Sequence, residues 1–269
     1  MVILGEHYLA ELALCNSNVL SNRGSIENIL LESSVQANAH RKEHEFRRLN
    51  DGGISGVIVI EESHISIHTF PERAYAIADF FTCSPDVNEE AGIAYLVKQL
   101  GSKNHNFVKL DRGPGVAHKI LYPEAHELET RRSLIGAAAS SGKTFDHVII
   151  EAWGINETII GKKESLEAPF LEAAKEGGQK VIYHKFHNFS PFGTSGFVLG
   201  EKSHLTVHSW PEKGYCAIDI LGASGEINIK RVIESLFGNL NPTRYDASRL
   251  TRGSLDTMRS NHCLNQYRV

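Results

Sequence analysis

Two short segments of the sequence carry most of the side chains that could perform chemistry. The first, SHISIHTF, covers residues 63–70 and is followed by Cys83. The second, SHLTVHSW, covers residues 203–210, and Ala223 takes the position equivalent to Cys83. Serine, histidine and cysteine supply the nucleophiles, bases and acids that work near neutral pH. These segments are therefore the first candidates for a reactive site.

The alternation within SHISIHTF limits the chemistry that its side chains can share. Successive residues of a strand point to opposite faces, which predicts His64 and His68 on one face and Ser63 on the other. Two histidines on one face could bind a metal, but no third ligand has suitable spacing, so we expect none. A Ser-His-Asp hydrolase is a further candidate, but the G-x-S-x-G motif is absent. A histidine that meets Ser63 would then come from the other copy of the segment.

Both segments belong to a tandem repeat with a constant offset of 140 residues. Adding 140 to a position in the first half reaches the same residue type at many positions without a gap. The first-half residues matched in this way include His7, Glu11, Ser55, Ser63, His64, His68, Tyr75, Asp79 and Arg112. This offset indicates duplication of a unit of roughly 110 residues. Two copies predict a pseudo-dimer, since a solenoid needs at least three repeats.

The repeat predicts a first unit at 1–113, a linker at 114–142, a second unit at 143–253 and a polar tail at 254–269. In the first unit the patterns predict a strand over 7–14, a helix capped by Ser25, strands over 56–61, 63–70 and 75–82, a helix over 87–100 and a strand over 106–110. Ser165 is the equivalent cap in the second unit. Each unit is thus an α+β layer, and we expect two layers packed sheet to sheet as an αββα sandwich.

Composition limits the possible binding partners and the cellular location of the protein. The chain has a net charge of −4 and no basic block, so we expect no nucleic-acid partner. Its start lacks the basic region of a signal peptide, and no apolar run approaches the roughly 20 residues of a membrane span. The four cysteines show no CxxC spacing, which favours reduced thiols in the cytoplasm.

The segment ESHISIHTFPE, from Glu62 to Glu72, with FFTC ending at Cys83, resembles the prokaryotic S-adenosylmethionine decarboxylase proenzymes. The second unit resembles the same family through FHNFSPFGTSG at 186–196 and SHLTVH at 203–208. The resemblance covers nearly the whole chain apart from the linker and the tail. The chain is therefore similar to a duplicated, fused form of this family.

The resemblance implies a cofactor made from the chain itself. The Ser63 hydroxyl would attack the carbonyl of Glu62, and cleavage between these residues would turn Ser63 into a pyruvoyl group. That group would form a Schiff base with the amine of S-adenosylmethionine and act as an electron sink for loss of carbon dioxide. Cys83 would then be the general acid that protonates the α-carbon. The product would serve spermidine synthesis.

Sites in this family are assembled across two units, and the resemblance implies the same here. Ser63 and Cys83 come from the first unit. The second unit would supply Ser195 and His208, which assist processing, Phe189, which stacks on adenine, and Glu212, which binds the ribose.

The opposite composite site has lost several of these residues. Lys202 precedes Ser203, Ala223 replaces the cysteine, and Leu49 stands at the position of Phe189. One working site is therefore expected. Ser55 and His68 remain, so cleavage before Ser203 stays open.

Two other functions remain open at this stage. A related pyruvoyl enzyme could decarboxylate arginine or ornithine, which would leave Phe189 in the core and Glu212 as a solvated turn residue. A non-catalytic regulatory partner would be expected to lose Ser63 or Cys83, and the sequence retains both. The internal pseudo-dimer could also assemble into a larger homo-oligomer.

Overall fold

The computed structural model describes residues 3–61, 63–114, 144–189, 193–201, 203–253 and 265–267. Apart from residue 114, the predicted linker 114–142 lies outside these ranges. Glu62 and Lys202 also lie outside them. Of the predicted tail 254–269, only the backbone of 265–267 is described, and it forms a short strand.

The two units have the same order of elements. The first contains β1 (Gly5–Ala13), α1 (Ser17–Leu20), α2 (Arg23–Gln36), β2 (Arg41–Arg48), β3 (Ile54–Ile60), β4 (Ser63–Phe70), β5 (Tyr75–Thr82), α3 (Glu89–Gln99) and β6 (Asn104–Arg112). The second contains β7 (Phe145–Trp153), α4 (Glu157–Ile160), α5 (Lys163–Glu176), β8 (Val181–Asn188), β9 (Thr194–Gly200), β10 (Ser203–Trp210), β11 (Tyr215–Ala223), α6 (Ile229–Leu240) and β12 (Arg244–Arg252), followed by β13 (Asn265–Tyr267).

Each unit forms one antiparallel sheet. The strand order is β2-β3-β4-β5-β1-β6 in the first, and the second repeats this order with β13 added beside β12. The first strand of each unit therefore lies inside its sheet, between two later strands. This arrangement brings the start of β4 beside the end of β5, where Ser63 and Cys83 lie.

The helices cover one face of each sheet and the other faces pack together. Ile26 of α2 and Leu96 of α3 share a buried core with Ile65 of β4. On the opposite face, Leu9 and Leu110 pack in one buried cluster with Ile149, Leu250 and Val108. Because apolar side chains point to both faces, the inner strands β3, β4 and β5 are buried throughout. The predicted αββα sandwich is confirmed.

Two local features differ from the sequence patterns. Asn22, not Ser25, caps α2, and its side chain accepts a hydrogen bond from the Ser25 amide. Ser165 lies within the first turn of α5, which has no side-chain cap. The patterns also do not reveal β2, because this strand is charged and only Phe46 is buried. An edge strand with one exposed face needs few apolar residues.

None of the helices in the described part of the chain is long and apolar enough to cross a membrane.

Candidate active site

A network of buried charges joins the two sheets. Arg112 at the end of β6 is fully buried and forms ion pairs with Glu151 and Asp219 of the second unit, the latter with Nη1–Oδ1 at 2.9 Å. Arg252 repeats the arrangement with Glu11, Nε–Oε1 at 2.7 Å, and with Asp79. Each arginine therefore finds its carboxylates in the other unit.

These pairs help to keep the two buried aspartates ionised. Burial alone would raise the pKa of Asp219, but Arg112 and the neighbouring histidines together outweigh it and hold the pKa well below the ordinary value. Arg252 and neighbouring histidines lower the pKa of Asp79 in the same way. Within the described residues, no group of three or more histidine, cysteine, aspartate or glutamate side chains is arranged to hold a metal ion.

Two chains of serine and histidine cross the interface. In one, Ser195 Oγ lies 2.7 Å from His208 Nδ1, and His208 Nε2 lies 2.8 Å from His64 Nδ1. The other repeats this geometry with Ser55, His68 and His204 at 2.8 and 2.9 Å. We name them the His208 chain and the His68 chain. The last histidine of the His208 chain is His64, which directly follows Ser63. The last histidine of the His68 chain is His204, which directly follows Ser203.

The His208 chain reaches the neighbourhood of Ser63 through His64. The His208 ring stacks on Phe81 at 4.5 Å and on His64 at 5.1 Å, and both of its nitrogens are engaged. The structure thus brings together Ser195 and His208, as the resemblance implies. Their link to Ser63 runs through the adjacent residue rather than through a direct contact.

The histidines of the His208 chain and the His68 chain are neutral at pH 7. Burial lowers the pKa of His64 and of His68 to about 4, and lowers that of His208 well below its ordinary value. A neutral imidazole has one N–H donor and one acceptor nitrogen. Each chain can therefore pass a proton between its serine and its outer histidine by exchanging tautomers.

We expect the free energy of unfolding to fall as the pH is lowered from 7 to 5. In the unfolded chain, histidines bind protons near pH ~6.5, whereas folded His64 and His68 have pKa values of about 4. Between these two pKa values the unfolded state binds more protons than the folded state. The free energy of unfolding therefore decreases as the pH falls through this range. Urea unfolding at pH 7, 6 and 5 measures the effect, and an unchanged midpoint would contradict it.

Ser63 and Cys83 are in contact at the first residue of β4. The backbone N–H of Cys83 donates a hydrogen bond to Ser63 Oγ, with a distance of 3.0 Å. Ser63 is buried, and Cys83 is partly buried. The two residues predicted to share a site thus meet because β4 and β5 pair along their whole length.

Cys83 lies in an apolar cluster built from both units, which we name the Cys83 cluster. Its members are Leu4, Phe81, Cys83, Trp153, Trp210, Tyr215 and Ala217. Leu4, Cys83 and the two tryptophans are only partly buried, so the cluster opens to solvent.

The equivalent cluster around Ala223 is filled. Its members are Ala13, Phe70, Tyr75, Ile77, Phe145, Leu221 and Ala223, and all are buried. Phe145 replaces Gly5 at this position, and its ring lies 4.8 Å from that of Phe70. A Cβ atom added to Gly5 would lie 3.3 Å from the Cys83 sulfur. A side chain at Gly5 would therefore press against the thiol, and glycine avoids this contact.

Phe189 and Glu212 differ in their contacts. Phe189 is partly buried and packs against a cluster that includes Val57 and Val59 of β3. Glu212 follows Trp210 by two residues, its side chain is 41% exposed, and it pairs with Lys213 at 2.9 Å. Phe189 thus reaches the first unit, whereas the Glu212 carboxylate faces solvent.

Several residues of this site could not be assigned from the sequence. Trp153, Trp210 and Tyr215 line the Cys83 cluster, and His64 links the His208 chain to β4. A signal does exist, because the two copies differ at most positions in and beside the cluster. Gly5 becomes Phe145, Trp153 stands for Ala13, and Trp210 stands for Phe70.

Comparison with known proteins gives a consistent result. The family model for S-adenosylmethionine decarboxylase matches residues 6–113 and again 146–253. The S-adenosylmethionine decarboxylase proenzyme of Thermoanaerobacter sp. strain X514 is 44% identical over 113 residues, which are 42% of this chain and 91% of that protein. The corresponding proenzyme of Acetivibrio thermocellus is 42% identical over the same shares.

A solved adenosylmethionine decarboxylase from Aquifex aeolicus aligns with 43% of this chain and 95% of its own, at 24% identity and a TM-score of 0.40. The matched stretch of the two proenzymes, 113 residues and 91% of each, corresponds in length to a single unit of this chain. Because the family model matches both units and most of the sequence, the chain belongs to the S-adenosylmethionine decarboxylase family.

Proposed function

We propose that this chain is a self-processing, pyruvoyl-dependent decarboxylase of S-adenosylmethionine with one working site. The observation that carries the proposal is the asymmetry of the two clusters. The Cys83 cluster is open and holds the Ser63–Cys83 contact, whereas Phe145 fills the equivalent space. The names of its relatives supply the reaction.

Processing begins at Ser63. Its Oγ attacks the carbonyl carbon of Glu62, an ester forms, and the C–N bond breaks as the nitrogen takes a proton. Loss of the α-proton of residue 63 then breaks the Cβ–O bond and releases a chain that ends in the carboxylate of Glu62. Water replaces the remaining nitrogen, which leaves as ammonia. The product is a pyruvoyl group at the start of the larger chain.

The residues around Ser63 suit this reaction. The Cys83 N–H holds Oγ in place at 3.0 Å. The proton acceptor would be the His208 chain, which ends at His64, the residue next to Ser63. The histidines of this chain are neutral at pH 7. A neutral histidine accepts a proton, whereas a charged one does not.

The same surroundings fit a pyruvoyl group once Ser63 is converted. The group supplies a carbonyl that binds the substrate amine and accepts the electrons released with carbon dioxide. The thiol of Cys83 would donate a proton to the α-carbon. Trp153, Trp210 and Tyr215 would limit the access of water to the reacting atoms.

The substrate contacts are assigned to Phe189 and Glu212. An aromatic ring at the interface can stack on adenine, and an exposed carboxylate can accept hydrogen bonds from ribose hydroxyls. Arginine and ornithine offer neither group. A screen of the cleaved protein with S-adenosylmethionine, arginine and ornithine tests this, with carbon dioxide release as the readout. Release from either amino acid alone would overturn the substrate assignment.

We expect His208→Ala to slow self-cleavage about a hundredfold, as befits loss of a general base. His68→Ala is the matched control, since both residues hold the same place in equivalent chains. A structural role predicts equal effects, whereas the proposed role predicts that only His208→Ala slows the cut before Ser63. Time courses of the intact mass measure the rates. Equal slowing in the two variants would contradict the assignment.

Cys83→Ala should still be cleaved before Ser63 like the wild type, but its kcat for decarboxylation should fall about a hundredfold. The hydrogen bond to Ser63 comes from the backbone N–H, which alanine retains. Only the thiol that protonates the α-carbon is lost. Cys216→Ala, at a buried position in the helix-side core, serves as the control. An unchanged kcat in Cys83→Ala would remove the thiol from the mechanism.

A further inference from the structure

The two repeated serines direct their hydroxyl groups differently. Ser63 Oγ accepts a hydrogen bond from the backbone N–H of Cys83 at 3.0 Å. Ser203 Oγ accepts one from the side-chain amide of Gln179, with Nε2–Oγ at 2.7 Å. Both serines are 1% exposed, so burial does not distinguish them. Ala39 is the equivalent of Gln179 and offers no amide.

The residue across the ladder explains the difference. In the antiparallel register Ile60 pairs with Ser63, and Gly200 pairs with Ser203. A Cβ atom added to Gly200 would lie 2.4 Å from Ser203 Oγ and 2.6 Å from the Gln179 side chain. Ser203 can therefore turn toward Gln179 only because glycine stands opposite. Ile60 excludes that direction for Ser63.

The rest of the processing machinery is still present beside Ser203. The His68 chain places His204, the next residue, in the same relation as His64 to Ser63. The backbone N–H of residue 223 does not depend on the cysteine that alanine replaces. The filled cluster around Ala223 would block a substrate, but self-cleavage needs no substrate. Apart from the preceding residue, which is Lys202 instead of Glu62, the direction of the serine is thus the feature that differs at the cutting position.

We propose that Gly200 and Gln179 hold Ser203 in an unreactive direction, and that Ile60 and Ala39 leave Ser63 free to react. The inference rests on the proposed self-cleavage. To attack the preceding carbonyl carbon, a serine must turn Oγ toward it and release its proton. A hydroxyl held over Gly200 by a buried amide cannot make that turn without losing its hydrogen bond. These four are positioning residues, which act only through the orientation of a serine.

The test restores the first-unit pair in the second unit, as Q179A/G200I. We expect a second cut, before Ser203, so that three chains of residues 1–62, 63–202 and 203–269 appear in the denatured mass. A structural role alone would change stability and create no new cleavage site. A folded variant that is cut only before Ser63 would overturn the inference.

The reciprocal exchange in the first unit gives a second test, which applies even if Q179A/G200I does not fold. A39Q/I60G places the amide beside Ser63, and A39L/I60G opens the same space without it. The two variants differ by one hydrogen bond to Ser63. We therefore expect A39Q/I60G to be cut about threefold to tenfold more slowly than A39L/I60G. Equal rates would overturn the inference. A wild-type chain that is never cut would instead overturn the proposed function, so the two failures are distinguishable.

Discussion

Replacement of Ser63 by alanine should leave one uncut chain with no decarboxylation above background. Alanine has no oxygen to attack the carbonyl of Glu62, so neither the cut nor the pyruvoyl group can form. The fold should survive, because among the described residues the Ser63 hydroxyl takes part in one hydrogen bond, which its oxygen accepts from the backbone N–H of Cys83. Intact mass and carbon dioxide release measure the two outcomes.

Ser203→Ala is the matched control for this variant. It removes the equivalent hydroxyl, which bonds only to Gln179 among the described residues, and should be cut and active like the wild type. A Ser63→Ala protein that is still cleaved would show that the two units had been assigned in the wrong order. Loss of activity in both variants would point to two interdependent sites.

Arg112→Met should lower the free energy of unfolding by about 3–5 kcal/mol. Methionine fills part of the volume but leaves Asp219 and Glu151 buried without their cation. A buried charge without a partner lowers stability strongly. Replacing both members of a buried ion pair by apolar residues, in contrast, often changes stability little. Because the partners lie in the other unit, the loss weakens the contact between the sheets.

Urea unfolding measures this effect, with Lys180→Ala as the control. Lys180 pairs with Glu201 at 2.8 Å, but its side chain is 71% exposed, so its removal should leave the midpoint nearly unchanged. A midpoint for Arg112→Met equal to that of Lys180→Ala would contradict a buried-charge role. The triple variant in which Asp219 and Glu151 are also neutralised should recover part of the loss, because no charge is then left unpaired.

Repetition and alternation are enough to predict much of this fold. The offset of 140 predicts two equivalent layers, and the alternation in SHISIHTF predicts that His64 and His68 share a face. The structure confirms this, since both side chains reach the second unit. The pairing of Ser63 with Cys83 also follows from two neighbouring strands whose bounds the pattern predicts.

Other features depend on packing between distant parts of the chain. Arg112 recurs as Arg252, but the sequence does not show that each binds carboxylates of the other unit. Phe145 and Gln179 look like ordinary substitutions until the structure places one in a cluster and the other on a serine. Such effects arise from contacts across more than a hundred residues or across a strand pair, which periodicity does not encode.

The intact mass of the purified protein under denaturing conditions is the decisive test of self-cleavage. We expect two chains, residues 1–62 and 63–269, with the larger one beginning at a pyruvoyl group instead of serine. We also expect the larger chain to resist sequencing from its amino end. A single uncut chain of 269 residues, or a cut before Ser203 alone, would contradict the account.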